Sequence, residues 1–72
     1  MGNLKIIGGE EISFVYKRKH YVGIIEEGKT VWSVTIRHKR DFLSDGWIVK
    51  KSQAKTAQQA LDIVFENVKH KI

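Results

Sequence analysis

The chain has 72 residues, with 13 lysines and arginines against 8 acidic residues, 42% hydrophobic residues and no cysteine. This length predicts a single domain over residues 1–72 with a thin core, and the lack of cysteine excludes disulfides and thiolate-bound metal as reinforcement. The hydrophobic content predicts a folded chain, and no run approaches the roughly 20 apolar residues of a membrane span, so we expect a cytoplasmic protein without a membrane partner.

Before residue 52, two segments alternate between apolar and polar residues, which is the period of a β-strand, and three others are short runs rich in strand-forming apolar residues. In chain order, strands are predicted at 4–7, 11–17, 20–26, 30–37 and 47–51. Turns or loops are predicted at 8–10, 18–19, 27–29 and 38–46. Gly28 supplies a residue for the left-handed position of the 27–29 hairpin loop, whereas Gly23 lies inside a strand pattern and suggests a β-bulge.

From about Gln53 the apolar residues recur every three or four positions, which is the period of an amphipathic helix. The stripe consists of Ala57, Ala60, Leu61, Val64, Phe65 and Val68. Ser52 or Thr56 could cap the N-terminus of this helix, and the basic residues 69–71 suit the negative end of its dipole.

The element order predicts an α+β fold, with an antiparallel β-sheet of three to five strands followed by one C-terminal amphipathic α-helix. Two architectures satisfy the pattern: an open meander with the helix across one face, and a small five-stranded barrel of SH3 type closed by the helix. The expected core combines the apolar residues on one side of the strands with the apolar stripe of the helix. These residues are Ile12, Phe14, Tyr16, Trp32, Val34, Ile36, Trp47, Val49, Leu61, Val64, Phe65 and Val68.

The residue types used in catalysis and metal binding do not form a recognisable site. No serine stands in a Gly-x-Ser-x-Gly context, and Gly8-Gly9 lacks the lysine of a phosphate loop. All three histidines lie beside cationic residues, which disfavours a bound metal. Asp41 and Asp45 could hold a magnesium ion, but hydrogen bonds within a turn are the commoner use of such residues. We therefore expect a binding protein rather than an enzyme, with no cofactor and no metal.

Two dense basic runs, 17–20 and 37–40, lie on either side of the central predicted hairpin. If Gly28 is the centre of that hairpin, residue 18 lies opposite 38 and His20 lies opposite Ile36, so the two runs meet at one end of the sheet. Like charges so close repel one another, and a bound anion would relieve that repulsion. The alternative is a solvated rim whose charges are screened by salt.

The outward face of the predicted sheet carries hydroxyl and cationic groups, which are the types that contact phosphates and base edges. They are Ser33, Thr35, Arg37, Lys17 and Lys50, and Tyr21 could lie among them. The parity of Trp32 and Trp47 favours the core over a base-stacking position for both. The apolar pair Phe42-Leu43 either folds over an open end of the core or forms an exposed tip for a protein partner.

From Trp32 to Leu61, the order of a strand, a Gly46-Trp47 strand and the helix start Thr56-Ala57-Gln58-Gln59-Ala60-Leu61 resembles the three-strand-plus-helix DNA-binding modules of phage-type integrase N-termini and plant AP2 domains. In those families the exposed sheet face enters the major groove, so the resemblance implies DNA contacts by Ser33, Thr35 and Arg37. The same helix start is similar to HicB-like antitoxins, which are partner-binding modules. Residues 5–17 resemble the first strands of the small basic archaeal chromatin proteins of SH3-like fold.

Charge and resemblance together predict a small nucleic-acid-binding module of a mobile element, with duplex DNA as the expected partner and RNA left open. Phosphate contacts are expected from Lys17, Arg18, Lys19, Arg37, Lys39 and Arg40, base-edge contacts from Ser33 and Thr35, and a further sheet-face contact from Lys50. The alternative is a protein-interaction module, a small inhibitor or antitoxin-like regulator, that binds by an edge strand or by the 38–46 loop. An exposed edge at residues 4–7 could also pair two copies of the chain.

Overall fold

The computed structural model describes residues 6–72, which form a four-stranded antiparallel sheet followed by one α-helix. The elements are β1 (Gly8–Tyr16), β2 (Lys19–Glu27), β3 (Val31–His38), β4 (Asp41–Lys50), α1 (Ala57–Val68) and a terminal 3-10 turn, Lys69–Lys71. The strand order is β1-β2-β3-β4, a meander in which β1 and β4 are the two edges. The α+β class is confirmed, and the architecture is the open sheet rather than the closed barrel.

The first glycines of the sequence lie within a strand instead of a turn. Gly8 and Gly9 pair with Glu27 and Glu26 of β2, so the predicted turn at 8–10 is wrong. The β1–β2 ladder, in which Gly8 and its neighbour Glu10 face β2, favours the extended conformation of this segment over the turn that its composition suggests. Of the predicted strand at 4–7, residues 4 and 5 lie outside the described residues. Residues 6 and 7 precede β1, and the N–H of Ile7 donates to the Glu27 carbonyl.

The predicted loop at 38–46 is also wrong, because β4 already begins at Asp41 after a two-residue turn. The pairing of β3 with β4 shifts register on either side of Ile36, so β4 contains extra residues there. The Ser44 hydroxyl bridges this irregularity, since it accepts from the Ile36 N–H (3.1 Å) and donates to the Val34 carbonyl (3.3 Å). Gly46 adopts φ 71°, the left-handed region that favours glycine. Such bulges remove the alternation by which a strand is recognised in sequence.

The core lies between α1 and one face of the sheet, called here the inner face. Seven of the predicted core residues are buried: Trp32, Val34, Ile36, Val49, Leu61, Val64 and Val68. The other predicted side chains except Trp47 pack partly buried against this cluster: Ile12, Phe14, Tyr16 and Phe65. Trp47 is 41% exposed, so its assignment to the core is wrong. The alternation pattern did not indicate three further core residues: Tyr21 and Ile25, which are 2% and 0% exposed, and the buried Ala54.

Gly23 lies directly against the Leu61 side chain of the helix. A Cβ atom on Gly23 would lie 2.6 Å from Cδ1 of Leu61. The ladders on both sides of Gly23 are regular, with partners Ile12 and Ile36, so the predicted bulge is wrong. The residue allows the Leu61 side chain to rest on the backbone of a central strand.

Thr56 is the N-cap of α1, which resolves the choice between Ser52 and Thr56. Its side chain accepts a hydrogen bond from the Gln59 N–H at 3.1 Å. The Trp32 indole N–H donates to the Ala54 carbonyl at 2.8 Å and fastens the β4–α1 connection to β3. In the described part of the chain, no helix combines the length and the apolar character that crossing a membrane requires.

Candidate nucleic-acid interface

Both dense basic runs lie at the end of the sheet formed by the β1–β2 and β3–β4 turns, called here the basic end. Lys17 and Arg18 form the first turn, and Lys39 and Arg40 form the second. His38 joins the two hairpins, because its Nδ1 lies 2.7 Å from the carbonyl oxygen of His20. The predicted convergence of the two runs is therefore present in the structure.

The register that brings them together differs from the predicted one. Gly23, rather than His20, lies opposite Ile36, because Gly28–Thr30 connects β2 and β3 as a loop in which Gly28 is not central. The N–H of Gly28 donates to the Val31 carbonyl at 2.8 Å, and its φ lies outside the left-handed region. The prediction that Gly28 takes the left-handed position is wrong, but a three-residue shift still leaves both turns at one end.

Three basic residues at these turns adopt a backbone conformation that non-glycine residues rarely use. The φ angles are 51° for Lys17, 67° for Arg18 and 55° for Lys39. Two consecutive positive angles in a two-residue turn are the type I′ geometry, which normally selects Asn-Gly. The left-handed conformation costs about 1 kcal/mol or more for each residue with a Cβ. The sequence thus carries long cationic side chains where local stability favours glycine.

The cations of the two turns are exposed and available to a partner. Lys17, Arg18, Lys19, Lys39 and Arg40 are exposed and Arg37 is half-buried. Within residues 6–72, none of these six forms an ion pair with a carboxylate. The Arg37 guanidinium donates to the Lys39 carbonyl at 3.2 Å, and Lys17 Nζ lies 5.6 Å from the centre of the Tyr16 ring. Asp41, opposite His38, adds one negative charge at this end.

A third basic segment, which the sequence alone did not place there, joins the basic end. The terminal turn Lys69–Lys71 follows α1 back to the same end of the sheet, where Lys71 and Ile72 border a cleft of 280 Å³. The other residues of this cleft are Lys19, Tyr21, His38, Asp41 and Leu43. A hydrogen bond to Glu66 raises the pKa of Lys69 and engages its ammonium group. The Lys71 ammonium group is therefore less engaged by a carboxylate than that of Lys69, and it adds the more available positive charge.

The outer face of the sheet, opposite α1, differs from the predicted base-reading surface. Ser33 lies there but is 7% exposed, and the Thr35 hydroxyl accepts a hydrogen bond from the Gly46 N–H at 3.0 Å. Lys50 is exposed at the far end of β4 from the basic end. Glu11 of β1 and Glu26 of β2 lie on the same face as these residues. Tyr21 is buried on the inner face, not among the outward residues.

Large apolar side chains also occupy the outer face. Phe42, Val15 and Ile48 are 57%, 59% and 53% exposed. Leu43, in contrast, packs against the core, so one residue of the Phe42-Leu43 pair is exposed and the other is partly buried. Within residues 6–72, no three potential ligands from His, Asp and Glu gather at a metal-binding distance.

Comparison of the chain with models of known protein families, with curated proteins and with solved structures returned no match.

Proposed function

We propose that this chain binds nucleic acid, with duplex DNA as the expected form, through phosphate contacts made by its basic end. The observation that carries the proposal is the convergence of the 17–19 and 37–40 segments on neighbouring turns, with exposed cations that have no carboxylate partner among the described residues. Phosphate oxygens are the ligands that such a cluster of lysine and arginine groups attracts most strongly.

The spacing of the two turns suits a duplex. Their centres are two strand spacings apart in the sheet, which is about 10 Å. The major groove of B-DNA is about 12 Å wide, so two turns at this separation can meet phosphates that border one groove. The clustered charges repel one another in the free protein, and counterions released from DNA on binding would add to the driving force.

The outer face supports phosphate contacts less well than the basic end does. The carboxylates of Glu11 and Glu26 oppose a polyanion there, and the burial of Ser33 limits its access to base edges. Arg37, which lies on that face next to the β3–β4 turn, can still contribute. We therefore place the interface at the turns and propose binding that depends more on phosphate geometry than on base sequence.

The double variant Arg37→Ala with Arg40→Ala is expected to weaken binding to a labelled duplex by about tenfold near 0.1 M salt, because each lost phosphate contact removes about one counterion from the exchange. The matched control is Lys29→Ala with Lys55→Ala, which removes the same charge from exposed positions outside the basic end. Fluorescence anisotropy measures both affinities, and a duplex RNA of the same sequence shows whether the sugar matters. Equal affinities for the wild type and the arginine variant would refute the proposal, as would equal losses in both variants.

The exposed side chains of Phe42 and Ile48 favour a second candidate, a protein-interaction module that docks its outer face on a partner. Apolar docking predicts association that persists at high salt, whereas the phosphate contacts of the basic end predict association that is lost. Salt dependence therefore distinguishes the two functions.

A further inference from the structure

The side of β1 that faces away from β2 is a long strand edge without a pairing strand in the described part of the chain. Among residues 6–72, β1 pairs with β2 alone, over nine residues. The two-residue turn makes Tyr16 and Lys19 a hydrogen-bonded pair, and bonding then alternates along the antiparallel ladder. The N–H and C=O groups of residues 9, 11, 13 and 15 therefore face away from β2. Such groups are a template for another strand.

An apolar groove lies between this edge and the helix. It has a volume of 310 Å³, and its apolar wall is formed by Ile12, Phe14, Leu61 and Phe65. The Phe14 and Phe65 rings meet edge to face with their centres 5.2 Å apart. A strand that paired with β1 would bring every second side chain onto this groove.

Charge along β1 specifies the direction of such a strand. The acidic pair Glu10-Glu11 lies in the first half of the strand, and Lys17 and Arg18 follow its last residue. A second β1 in parallel orientation would place like charges together. An antiparallel copy places the acidic half of each strand beside the basic turn of the other, so the edge is complementary to itself.

We propose that two copies of this chain pair through antiparallel β1 strands and form one continuous sheet. With Ser13 opposite Ser13 of the second copy, the outward-facing backbone groups meet as hydrogen-bonded pairs and Ile12 lies opposite Phe14. In this register Glu11 is diagonal to Lys17 of the second copy, within reach of a long side chain. The two helices then flank the joined β1 strands on one face, and the apolar grooves are filled by the neighbouring Ile12 and Phe14 side chains.

Sedimentation equilibrium of the full chain, from about 10 to 300 µM, tests the pairing, and a dimer of micromolar affinity is the expected result. Ser13→Pro removes an outward-facing N–H and should abolish the dimer while the melting curve shows a folded monomer. A wild-type chain that stays monomeric over this range would overturn the inference. A dimer that tolerates Ser13→Pro would do the same, because it would have to use another surface.

A charge exchange tests the antiparallel direction. Glu11→Lys and Lys17→Glu should each raise the dissociation constant by about tenfold, since the symmetry of the dimer repeats every unfavourable pair. The two positions, one in β1 and one in the turn that follows it, are about 20 Å apart in the same chain, so they do not compensate each other within a monomer. The double variant should restore dimerisation to near the wild-type value. Failure of this rescue would exclude the proposed register, and none of these measurements involves DNA.

Discussion

The triple variant Lys17→Asn, Arg18→Gly, Lys39→Gly is expected to be more stable than the wild type by about 2 kcal/mol. All three residues have positive φ angles in the two turns of the basic end. Asparagine and glycine adopt the left-handed conformation at lower cost, although glycine also loses more entropy on folding. Denaturant unfolding followed by circular dichroism measures the change. A lower unfolding free energy would contradict the assigned turn geometry.

The same variant is expected to bind duplex DNA about a hundredfold more weakly near 0.1 M salt, because three phosphate contacts are lost. The slope of log affinity against log salt should become shallower by about 3. Stability and affinity thus change in opposite directions, so weaker binding cannot be ascribed to unfolding. Lys29→Gly, in the Gly28–Thr30 loop at the other end of β2, is the control for loss of a turn lysine. Unchanged DNA affinity in the triple variant would contradict the assignment of the interface to these turns.

Gly23→Ala is expected to destabilise the fold by about 2 kcal/mol, because the new methyl group would overlap the Leu61 side chain in a packed core. A domain of this length has a total stability of about 4 to 11 kcal/mol, so the loss is a large fraction. Leu61→Ala should cost about 3 kcal/mol through the cavity it leaves. Urea unfolding measures both variants.

The combination of Gly23→Ala with Leu61→Ala separates overlap from other causes. Without the Leu61 branch the alanine methyl meets no obstacle, so the double variant should be about as stable as Leu61→Ala alone. Gly8→Ala, whose Cβ would meet its nearest neighbour at 3.4 Å, is the control for a glycine at the end of a strand. If the two losses of stability simply add in the double variant, Gly23 has a role other than leaving room for the Leu61 side chain.

The regular parts of the fold follow from the sequence. β3 has one alternating pattern from end to end, so its predicted span, 30–37, differs from the observed strand by one residue at each end. The helix stripe and the Thr56 cap are equally local, because a helix satisfies its backbone bonds within itself. The apolar residues of such elements recur with a regular period, so each element can be recognised in the sequence without knowing which other elements it contacts.

The remaining features depend on contacts between distant segments. At the β4 bulge the Ser44 hydroxyl hydrogen-bonds backbone groups of β3. The extra residues of β4 interrupt the alternation pattern, so the sequence did not indicate a strand over this segment. Trp47 has core parity in β4 but lies on an edge strand and is half exposed. Tyr21 is buried although it follows a basic run, because its ring stacks on Phe14 across the β1–β2 ladder.

The candidate interface could be predicted from the sequence only in part, because some of its features depend on contacts between distant segments. The two basic runs could be placed together from hairpin connectivity alone, and an error of three residues in register did not move them apart. The arrival of Lys69–Lys71 at the same end depends on the direction in which α1 crosses the sheet, which no local pattern encodes. The burial of Ser33 depends likewise on distant segments, because it lies in a central strand between Glu26 of β2 and Ile48 of β4.

The central claim, that the basic end binds phosphates, is tested most directly by the affinity of the wild-type chain for a random duplex of about 20 base pairs at about 50 and 200 mM salt. The phosphate contacts proposed here predict micromolar binding at the lower salt and a loss of at least about a hundredfold at the higher. Absence of binding at 50 mM, or binding that does not respond to salt, would contradict the claim and leave the basic end as a solvated rim.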